Sequence, residues 1–236
     1  MRCALLHGFA GDPAAWGDVI DAWVLEEPPL AVALPGHGSG PVLDTWEANL
    51  DVIAHDIKGC DVVIGYSLGA RVALGLVASG RFGHGVFIGV NPGISEHERE
   101  PRRGFDAAWT RLLRNEGIGA FHDAWMKQPL FATQARVAPQ KLAERRARRM
   151  RLDAEQLARS LEVMGLANMP DYWSAVPAHR DRIALIAGAD DPKYVAISAG
   201  LPAASFETIP NSGHDPTLEQ PRELASAIAR AVDRLR

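Results

Sequence analysis

The sequence contains few cysteines and no long apolar run. Only Cys3 and Cys60 occur among its 236 residues, and both lie in apolar, strand-like stretches. Cysteines placed in this way are expected to be small core residues, which argues against a disulfide framework or a cysteine metal site. No apolar run approaches the roughly 20 residues that a transmembrane helix needs, and a strand that begins within two residues of Met1 fits no signal peptide. We therefore expect a cytoplasmic protein that has no membrane partner.

The sequence also lacks an excess of charge of either sign. Its 25 Lys and Arg and 29 Asp and Glu residues give a formal net charge of −4, and 47% of the residues are hydrophobic. This near balance argues against nucleic acid as a partner. The one dense basic run, at residues 145–151, has no interleaved aromatic residues, so its plain interpretation is a solvated helix face.

Short apolar runs alternate with helical patterns along most of the chain. Because most of the strand candidates are too apolar to face solvent on one side, they predict a mostly parallel sheet with helices on both faces. The strand candidates are residues 3–6, 30–34, 61–64, 86–90, 182–187 and 205–209, and the helix candidates are residues 13–25, 44–57, 68–79, 192–199 and 219–235.

This alternation stops between residues 92 and 176, where the pattern is helical and rich in Arg, Trp, Gln and Glu. A helical insertion after the carboxyl end of a strand would lie over the active-site edge of the sheet. We therefore expect a single α/β domain over residues 1–236, with a helical lid at residues 92–176 inserted within it.

The most informative motif is Gly65-Tyr66-Ser67-Leu68-Gly69, which follows an apolar run and precedes a helical pattern. A G-x-S-x-G stretch between a strand and a helix predicts a sharp turn that lifts the serine hydroxyl out of the sheet edge. The two glycines permit a turn that is too tight for a Cβ atom. We interpret Ser67 as the reactive hydroxyl of this turn.

A serine hydroxyl needs a histidine to accept its proton and an acid to orient that histidine. In this fold the chain order is serine, then acid, then histidine. The loop after the fifth strand candidate carries Asp190 and Asp191, and the loop after the sixth carries His214. Order and placement together predict a triad of Ser67, Asp191 and His214, with Asp190 as the alternative acid.

The same chemistry needs two backbone N–H groups that face a developing negative charge, an oxyanion hole. The Leu68 N–H, at the start of the predicted helix, is one candidate. The Leu6-His7-Gly8-Phe9 stretch directly follows the first strand candidate and offers the Phe9 N–H as the other.

Several arginines accompany these motifs. Arg71 lies one helical turn beyond Ser67, where a buried helix is expected to carry an apolar side chain, so we interpret it as an anion ligand, with a surface position as the alternative. The predicted lid adds Arg99, Arg102 and Arg103. Guanidinium groups bind carboxylates bidentately, so arginines on a lid over a serine site would suit a substrate that bears several carboxylates.

The order of these motifs resembles that of α/β-hydrolase-fold proteins over most of the chain. Within that fold, the chain is similar to the 2-succinyl-6-hydroxy-2,4-cyclohexadiene-1-carboxylate (SHCHC) synthase family of the menaquinone pathway. The more discriminating pieces are the Tyr-Ser-Leu-Gly-x-Arg elbow and a Trp-x-x-Gln-Pro-Leu-Phe segment in the predicted lid; the other shared stretches are Leu34-Pro35-Gly36-His37-Gly38, Asn91-Pro92-Gly93-Ile94, residues 188–193 and Gly213-His214.

The resemblance implies a lyase that eliminates pyruvate from a cyclohexene tricarboxylate without a cofactor or a metal. The serine is expected to act as a base through the histidine instead of forming an acyl-enzyme. The residues that match the family's site are Ser67, Asp191 and His214 for the triad, Phe9 and Leu68 for the oxyanion hole, and Tyr66, Arg71, Arg102, Arg149, Trp125 and Gln128 for substrate binding. For Trp125 and Gln128, packing of a helix end against the core is an equal alternative.

The chain departs from the family pattern at three points. Ala33 stands where an Asp is common before Pro-Gly-His-Gly, and Thr217 stands where a second His often follows the catalytic one. The sequence also begins at the family's usual third strand, so we expect a sheet without the first hairpin.

Two other functions compete with the lyase interpretation. The same triad could form an acyl-enzyme in a serine hydrolase, namely a carboxylesterase, a thioesterase or a carbon–carbon bond hydrolase. A catalytically silent binding protein is a third hypothesis, against which the intact Ser67, Asp191 and His214 argue. The sequence makes no prediction of oligomeric state.

Overall fold

The computed structural model describes residues 1–24, 27–38 and 40–236. In these residues six strands form one sheet of order β2-β1-β3-β4-β5-β6, and every neighbouring pair is parallel. The strands are β1 Cys3–Leu6, β2 Leu30–Val32, β3 Val62–Tyr66, β4 His84–Ile88, β5 Ile183–Gly188 and β6 Ser205–Ile209. The predicted mostly parallel sheet is confirmed, and β1 and β6 have the predicted bounds.

The helices follow the predicted alternation with two differences at their ends. Their bounds are α1 Gly17–Ala22, α2 Trp46–Asp56, α3 Leu68–Ala78, α4 Glu96–Trp125, α5 Pro139–Arg149, α6 Ala154–Met164, α7 Ala175–Ala178, α8 Pro192–Ala199, α9 Pro216–Glu219 and α10 Pro221–Arg234. The helix predicted at residues 13–25 begins as a 3-10 turn, Pro13–Trp16, and its predicted end at Leu25 lies outside the described residues. The helix predicted at 219–235 is interrupted at Gln220 (φ −143°), because the proline that follows disfavours helical geometry in the residue before it.

Alternate side chains of the sheet enter two separate cores, as expected for a sheet covered on both faces. Ala4 and Leu6 of β1 pack in the core that α2 and α3 cover. Cys3 and Leu5 pack in the core that α1 and α10 cover. Both cysteines are free thiols; Cys3 is buried as predicted, whereas Cys60 is half-buried and packs against the edge of the first core.

Between β4 and β5 the chain is fully described and forms only helices and turns. We call residues 89–182 the helical segment. It contains α4 to α7 and the 3-10 stretches Pro129–Arg136 and Arg180–Arg182. Its α4 has a kink at Gly117, where φ is 78° and ψ is −178°. The segment follows the carboxyl end of β4, which places its start at the edge of the sheet where ligands bind in parallel α/β folds.

A small apolar cluster joins the helical segment to the loop after β1. Leu113 and Phe121 of α4 and Leu157 of α6 pack there against Ala10 and the half-buried Phe9. The segment therefore contacts the backbone that was predicted to form an oxyanion hole. Within the described ranges, none of the helices combines the length and the apolar character that crossing a bilayer requires.

Candidate active site

Ser67 occupies a strained turn between β3 and α3. Its φ is 53° and its ψ is −108°, a conformation that costs a non-glycine residue on the order of 1–3 kcal/mol. The neighbouring glycines are required sterically. A Cβ at Gly65 would lie 2.1 Å from the Gly69 carbonyl oxygen, and a Cβ at Gly69 would lie 2.2 Å from the Leu6 carbonyl oxygen. The turn therefore presents the serine hydroxyl at the carboxyl edge of the sheet.

A chain of hydrogen bonds connects this hydroxyl to a buried acid. Ser67 Oγ lies 3.0 Å from His214 Nε2, and His214 Nδ1 lies 2.8 Å from Asp191 Oδ2. Asp191 is fixed in turn, because its Oδ1 accepts from the Tyr194 N–H (3.3 Å) at the start of α8. Asp190 points elsewhere and pairs with Arg136 at 2.6 Å on the surface. The structure thus joins His214 to Asp191, the acid that the sequence favoured.

Two tyrosine rings pack against the imidazole of His214, both at a tilt. The Tyr194 ring centroid is 4.4 Å from that of His214, and the Tyr66 centroid is 5.5 Å away. Only 3% of His214 is exposed. Burial keeps water from competing for the two hydrogen bonds of the imidazole.

The loop after β1 aims the Phe9 N–H. The Gly8 carbonyl oxygen accepts hydrogen bonds from the Gly11 N–H at 3.1 Å and from His7 Nδ1 at 2.8 Å. All described peptide bonds are trans, so the N–H of the same peptide unit, that of Phe9, points the opposite way. In the described part of the chain neither the Phe9 N–H nor the Leu68 N–H has a protein acceptor. The two groups can therefore act as the donors of an oxyanion hole.

Two buried histidines tie this loop to the loop after β2. His7 Nε2 accepts from the Leu34 N–H (3.1 Å), and His37 Nε2 accepts from the Ala10 N–H (3.0 Å). Their Nδ1 atoms lie within hydrogen-bond distance of backbone carbonyl oxygens, so each imidazole acts as the neutral Nδ1–H tautomer. Burial lowers the pKa of His7 to about 4 and that of His37 to about 3.

These lowered pKa values predict that acid destabilises the fold. In the unfolded chain, His7 and His37 become protonated as pH falls below about 6.5. In the folded chain His7 binds its proton only near pH 4 and His37 only near pH 3. The free energy of unfolding should therefore fall by roughly one kcal/mol per pH unit for each of the two as pH drops from 6.5 toward 4. Urea unfolding at pH 7 and pH 5 measures this slope.

A matched pair of variants tests whether these two histidines cause the change of the free energy of unfolding with pH. His37→Gln removes one of the two titrations and should make the slope shallower. His55→Gln alters an exposed histidine of α2 and should leave the slope as it is. Equal slopes in the wild type and in His37→Gln would contradict the assignment.

Arg71 and Arg102 both lie within electrostatic range of Tyr194. Arg71 is half-buried, its Nη1 donates to the Met164 carbonyl oxygen at 3.0 Å, and desolvation together with the charge of Arg102 lowers its pKa to about 10. Arg102 Nε lies 3.0 Å from both carboxylate oxygens of Asp106, which leaves its terminal nitrogens for a ligand. Arg102 also lines a cavity of about 750 Å³ between the start of α4 and the start of α8.

We call the loop after β1, residues 7–11, the oxyanion loop, and the other predicted residues of the helical segment pack against it or near it. The Trp125 ring centroid lies 5.4 Å from that of Phe9. Gln128 donates to the Trp125 carbonyl oxygen at 3.1 Å. Arg149 is 3% exposed, and its Nε donates to the Ala10 carbonyl oxygen at 2.9 Å. The structure therefore brings Arg149 to the backbone beside Phe9.

One pair of charged residues beside the triad was missed in the sequence. Arg145 forms an ion pair with Asp215, whose side chain is fully buried and which directly follows His214. Asp215 Oδ1 also accepts from Thr217 Oγ1 at 2.5 Å. Burial lowers the pKa of Arg145, but Asp215 and Tyr66 raise it by a larger amount. The guanidinium is therefore a fixed positive charge next to Tyr66.

The prediction that residues 145–151 form a solvated face is therefore wrong for Arg145 and Arg149. A signal was present in the spacing, because Leu142, Arg145 and Arg149 recur at intervals of three and four residues and share one side of α5. Arg146 and Arg148 of the same run are more exposed and pair with Asp123 and Asp12. Among the described residues, no group of three or more His, Cys, Asp or Glu side chains could hold a metal ion.

Comparisons with known proteins identify the family to which the chain is similar. The model of the alpha/beta hydrolase family matches residues 4–227. The 2-succinyl-6-hydroxy-2,4-cyclohexadiene-1-carboxylate synthase of Enterobacter sp. (strain 638) is 31% identical over 96% of this chain and 90% of its own length. Among solved structures, MenH from S. aureus superimposes with a TM-score of 0.92 at 25% identity, covering 100% of this chain and 94% of its own. A thermophilic esterase from Thermogutta terrifontis shares the fold, with a TM-score of 0.78 at 23% identity over 100% of this chain and 90% of its own.

Proposed function

The chain belongs to the α/β hydrolase family and within it to the relatives of SHCHC synthase, and from this we propose that it is a carbon–oxygen lyase of menaquinone biosynthesis. Its substrate is the pyruvate-bearing precursor of 2-succinyl-6-hydroxy-2,4-cyclohexadiene-1-carboxylate. It eliminates pyruvate from that ring with no cofactor, in the cytoplasm. The observation that carries the proposal is the continuous Ser67, His214, Asp191 chain, with Arg71 one helical turn beyond the serine and, among the described residues, without a carboxylate partner.

In this mechanism Ser67 serves as the base that removes a ring proton. His214 accepts the hydroxyl proton while Asp191 orients the imidazole and stabilises its positive charge. The electron pair of the broken C–H bond forms a ring double bond as the C–O bond to the pyruvate enol breaks. The departing enolate takes up a proton and becomes pyruvate. The Phe9 and Leu68 N–H groups stabilise the negative charge that develops on a substrate carbonyl oxygen.

The remaining site residues bind the substrate and enclose it. Arg71 and Arg102 bind its carboxylates. The Tyr66 phenol, whose pKa burial and Asp215 raise well above the ordinary value, stays neutral and can donate a hydrogen bond to the substrate. The helical segment acts as the lid of a single domain. Its Trp125 and Gln128 cover the site from the side of Phe9.

One assay tests the proposal against the hydrolase alternative. The precursor is supplied and pyruvate release is followed by coupling to lactate dehydrogenase, with hydrolysis of a p-nitrophenyl ester measured in parallel. We expect pyruvate release. Turnover of the ester with no pyruvate would overturn the lyase proposal in favour of a serine hydrolase.

Arg71→Met should raise KM for the precursor by about ten- to a hundredfold, because a charged hydrogen bond to a carboxylate contributes roughly 1.5–3 kcal/mol. In the described residues Arg71 has no carboxylate within salt-bridge distance, so its charge is available to the substrate. KM and kcat are obtained from the pyruvate assay.

The control for Arg71→Met is Arg81→Met. Arg81 lies just after the end of the same helix and pairs with Asp51 at the surface. Its replacement should leave KM unchanged. A KM for Arg71→Met within twofold of that of the control would show that Arg71 does not bind the substrate.

A further inference from the structure

Ala10 of the oxyanion loop has a conformation that its own residue type disfavours. Its φ is +53°, in the left-handed region, at the turn that the Gly11 N–H closes onto the Gly8 carbonyl oxygen. A left-handed residue with a Cβ costs about 1–2 kcal/mol. Neighbouring groups must therefore stabilise this turn.

Two side chains from different elements bind the two sides of Ala10. His37, from the loop after β2, accepts from the Ala10 N–H at 3.0 Å. Arg149, at the end of α5, donates its Nε–H to the Ala10 carbonyl oxygen at 2.9 Å. The first bond fixes the peptide plane before Ala10 and the second fixes the plane after it, so together they define the φ and ψ of the residue.

Both side chains are themselves held in place. His37 is 2% exposed and Arg149 is 3% exposed. His37 Nδ1 lies 3.0 Å from the Pro35 carbonyl oxygen. Arg149 Nη1 lies 3.0 Å from His122 Nδ1 and 3.3 Å from Met126 Sδ. The fixed side chains can therefore hold the backbone of Ala10 in position.

We propose that His37 and Arg149 are positioning residues that clamp Ala10 and thereby fix the direction of the Phe9 N–H in the oxyanion hole. This gives Arg149 a role other than the binding of a substrate carboxylate that the family resemblance implies. It also makes the helical segment part of the catalytic apparatus, because α5 supplies one half of the clamp. The expected effect on turnover rests on the proposed function, whereas the expected effect on the loop does not.

The first test measures amide hydrogen exchange of the Ala10 and Gly11 N–H groups in the wild type, Arg149→Gln, Arg149→Lys and Arg146→Gln. Loss of one charged hydrogen bond should accelerate exchange in Arg149→Gln by roughly ten- to a hundredfold. Arg149→Lys keeps a donor for the Ala10 carbonyl oxygen and should recover most of the protection. Arg146→Gln changes an exposed neighbour and should match the wild type. Equal exchange in Arg149→Gln and the wild type would overturn the clamp, whatever reaction the protein catalyses.

The second test separates positioning from substrate binding by means of the pyruvate assay. Positioning of the Phe9 N–H acts on the transition state, so Arg149→Gln and His37→Gln should each lower kcat by roughly tenfold or more with KM nearly unchanged. A rise in KM with kcat unchanged in Arg149→Gln would overturn the positioning role and return Arg149 to the carboxylate site. If the wild type releases no pyruvate, the proposed function fails, and the exchange measurement alone decides whether the clamp exists.

Discussion

Ser67→Ala is expected to lower kcat for pyruvate release by about two to four orders of magnitude, because a positioned general base contributes roughly that factor to a proton abstraction. The hydroxyl is the only group of the triad that reaches the substrate in our proposal, and His214 cannot replace it from behind a 3.0 Å hydrogen bond. KM should change little, since the hydroxyl contributes little to binding of the ground state. Initial rates in the coupled pyruvate assay measure both constants.

Ser226→Ala is the matched control for this variant. Ser226 is exposed on α10 and donates to the Arg222 carbonyl oxygen, so its replacement should leave kcat unchanged. Circular dichroism and the urea midpoint establish that Ser67→Ala is folded. A folded Ser67→Ala that retains kcat within threefold of the control would remove the serine from the mechanism.

The role of the serine, base or nucleophile, needs a separate measurement on the wild type. A nucleophilic Ser67 would carry an acyl group for part of each turnover, which rapid quenching and intact-mass spectrometry detect as an adduct. Elimination with Ser67 as the base leaves the mass of the protein unchanged throughout. A substrate-derived adduct on Ser67 during pyruvate release would contradict the base mechanism.

Most of the sheet could be predicted from the sequence because β1, β3, β4 and β5 are short, largely apolar runs between turn residues, whereas β6 alternates polar and apolar residues. Strands buried on both faces have almost no polar positions, so their existence was clear, while their ends were uncertain by up to two residues. The triad could be predicted for a related reason. Chain order together with the loops after β5 and β6 leaves few candidates; the sequence favoured Asp191 over Asp190, and the geometry joins Asp191 to His214.

The orientation of the arginines on α5 could not be predicted in the same way. This helix is so rich in charge that no broad apolar stripe indicates which side faces inward, and only Leu142 shares a side with Arg145 and Arg149. Packing against Asp215 and Ala10, which are distant in sequence, determines the orientation. Where the orientation of a side chain is determined by partners from several elements, the local sequence pattern predicts it least well.

The oxyanion loop and the triad are therefore connected through α5. Arg149 contacts the backbone beside Phe9, and Arg145, one turn earlier on the same helix, pairs with the residue that follows His214. A shift of α5 would move both ends of the catalytic apparatus together. In our proposal this arrangement gives the helical segment a mechanistic role in addition to the proposed role of a lid.

Arg145→Met should lower the free energy of unfolding at neutral pH by about 3–5 kcal/mol, because it leaves the Asp215 carboxylate buried without its counter-charge. The Asp215 side chain is 0% exposed, so water cannot replace the guanidinium. The same change removes the positive charge beside Tyr66, next to Ser67 in the chain, so kcat for pyruvate release should fall as well. Urea unfolding and the coupled assay measure the two effects on one preparation.

Two further variants show whether the loss comes from the stranded charge. Arg146→Met removes the next arginine of the helix, whose side chain is 48% exposed and whose partner Asp123 is at the surface. This change should lower the free energy of unfolding by less than about 1 kcal/mol. Arg145→Met combined with Asp215→Asn removes both charges and should recover a large part of the stability, because the uncompensated carboxylate is gone. If the double variant were as unstable as Arg145→Met alone, the loss would come from packing of the arginine side chain, and the ion pair beside His214 would carry no energetic role.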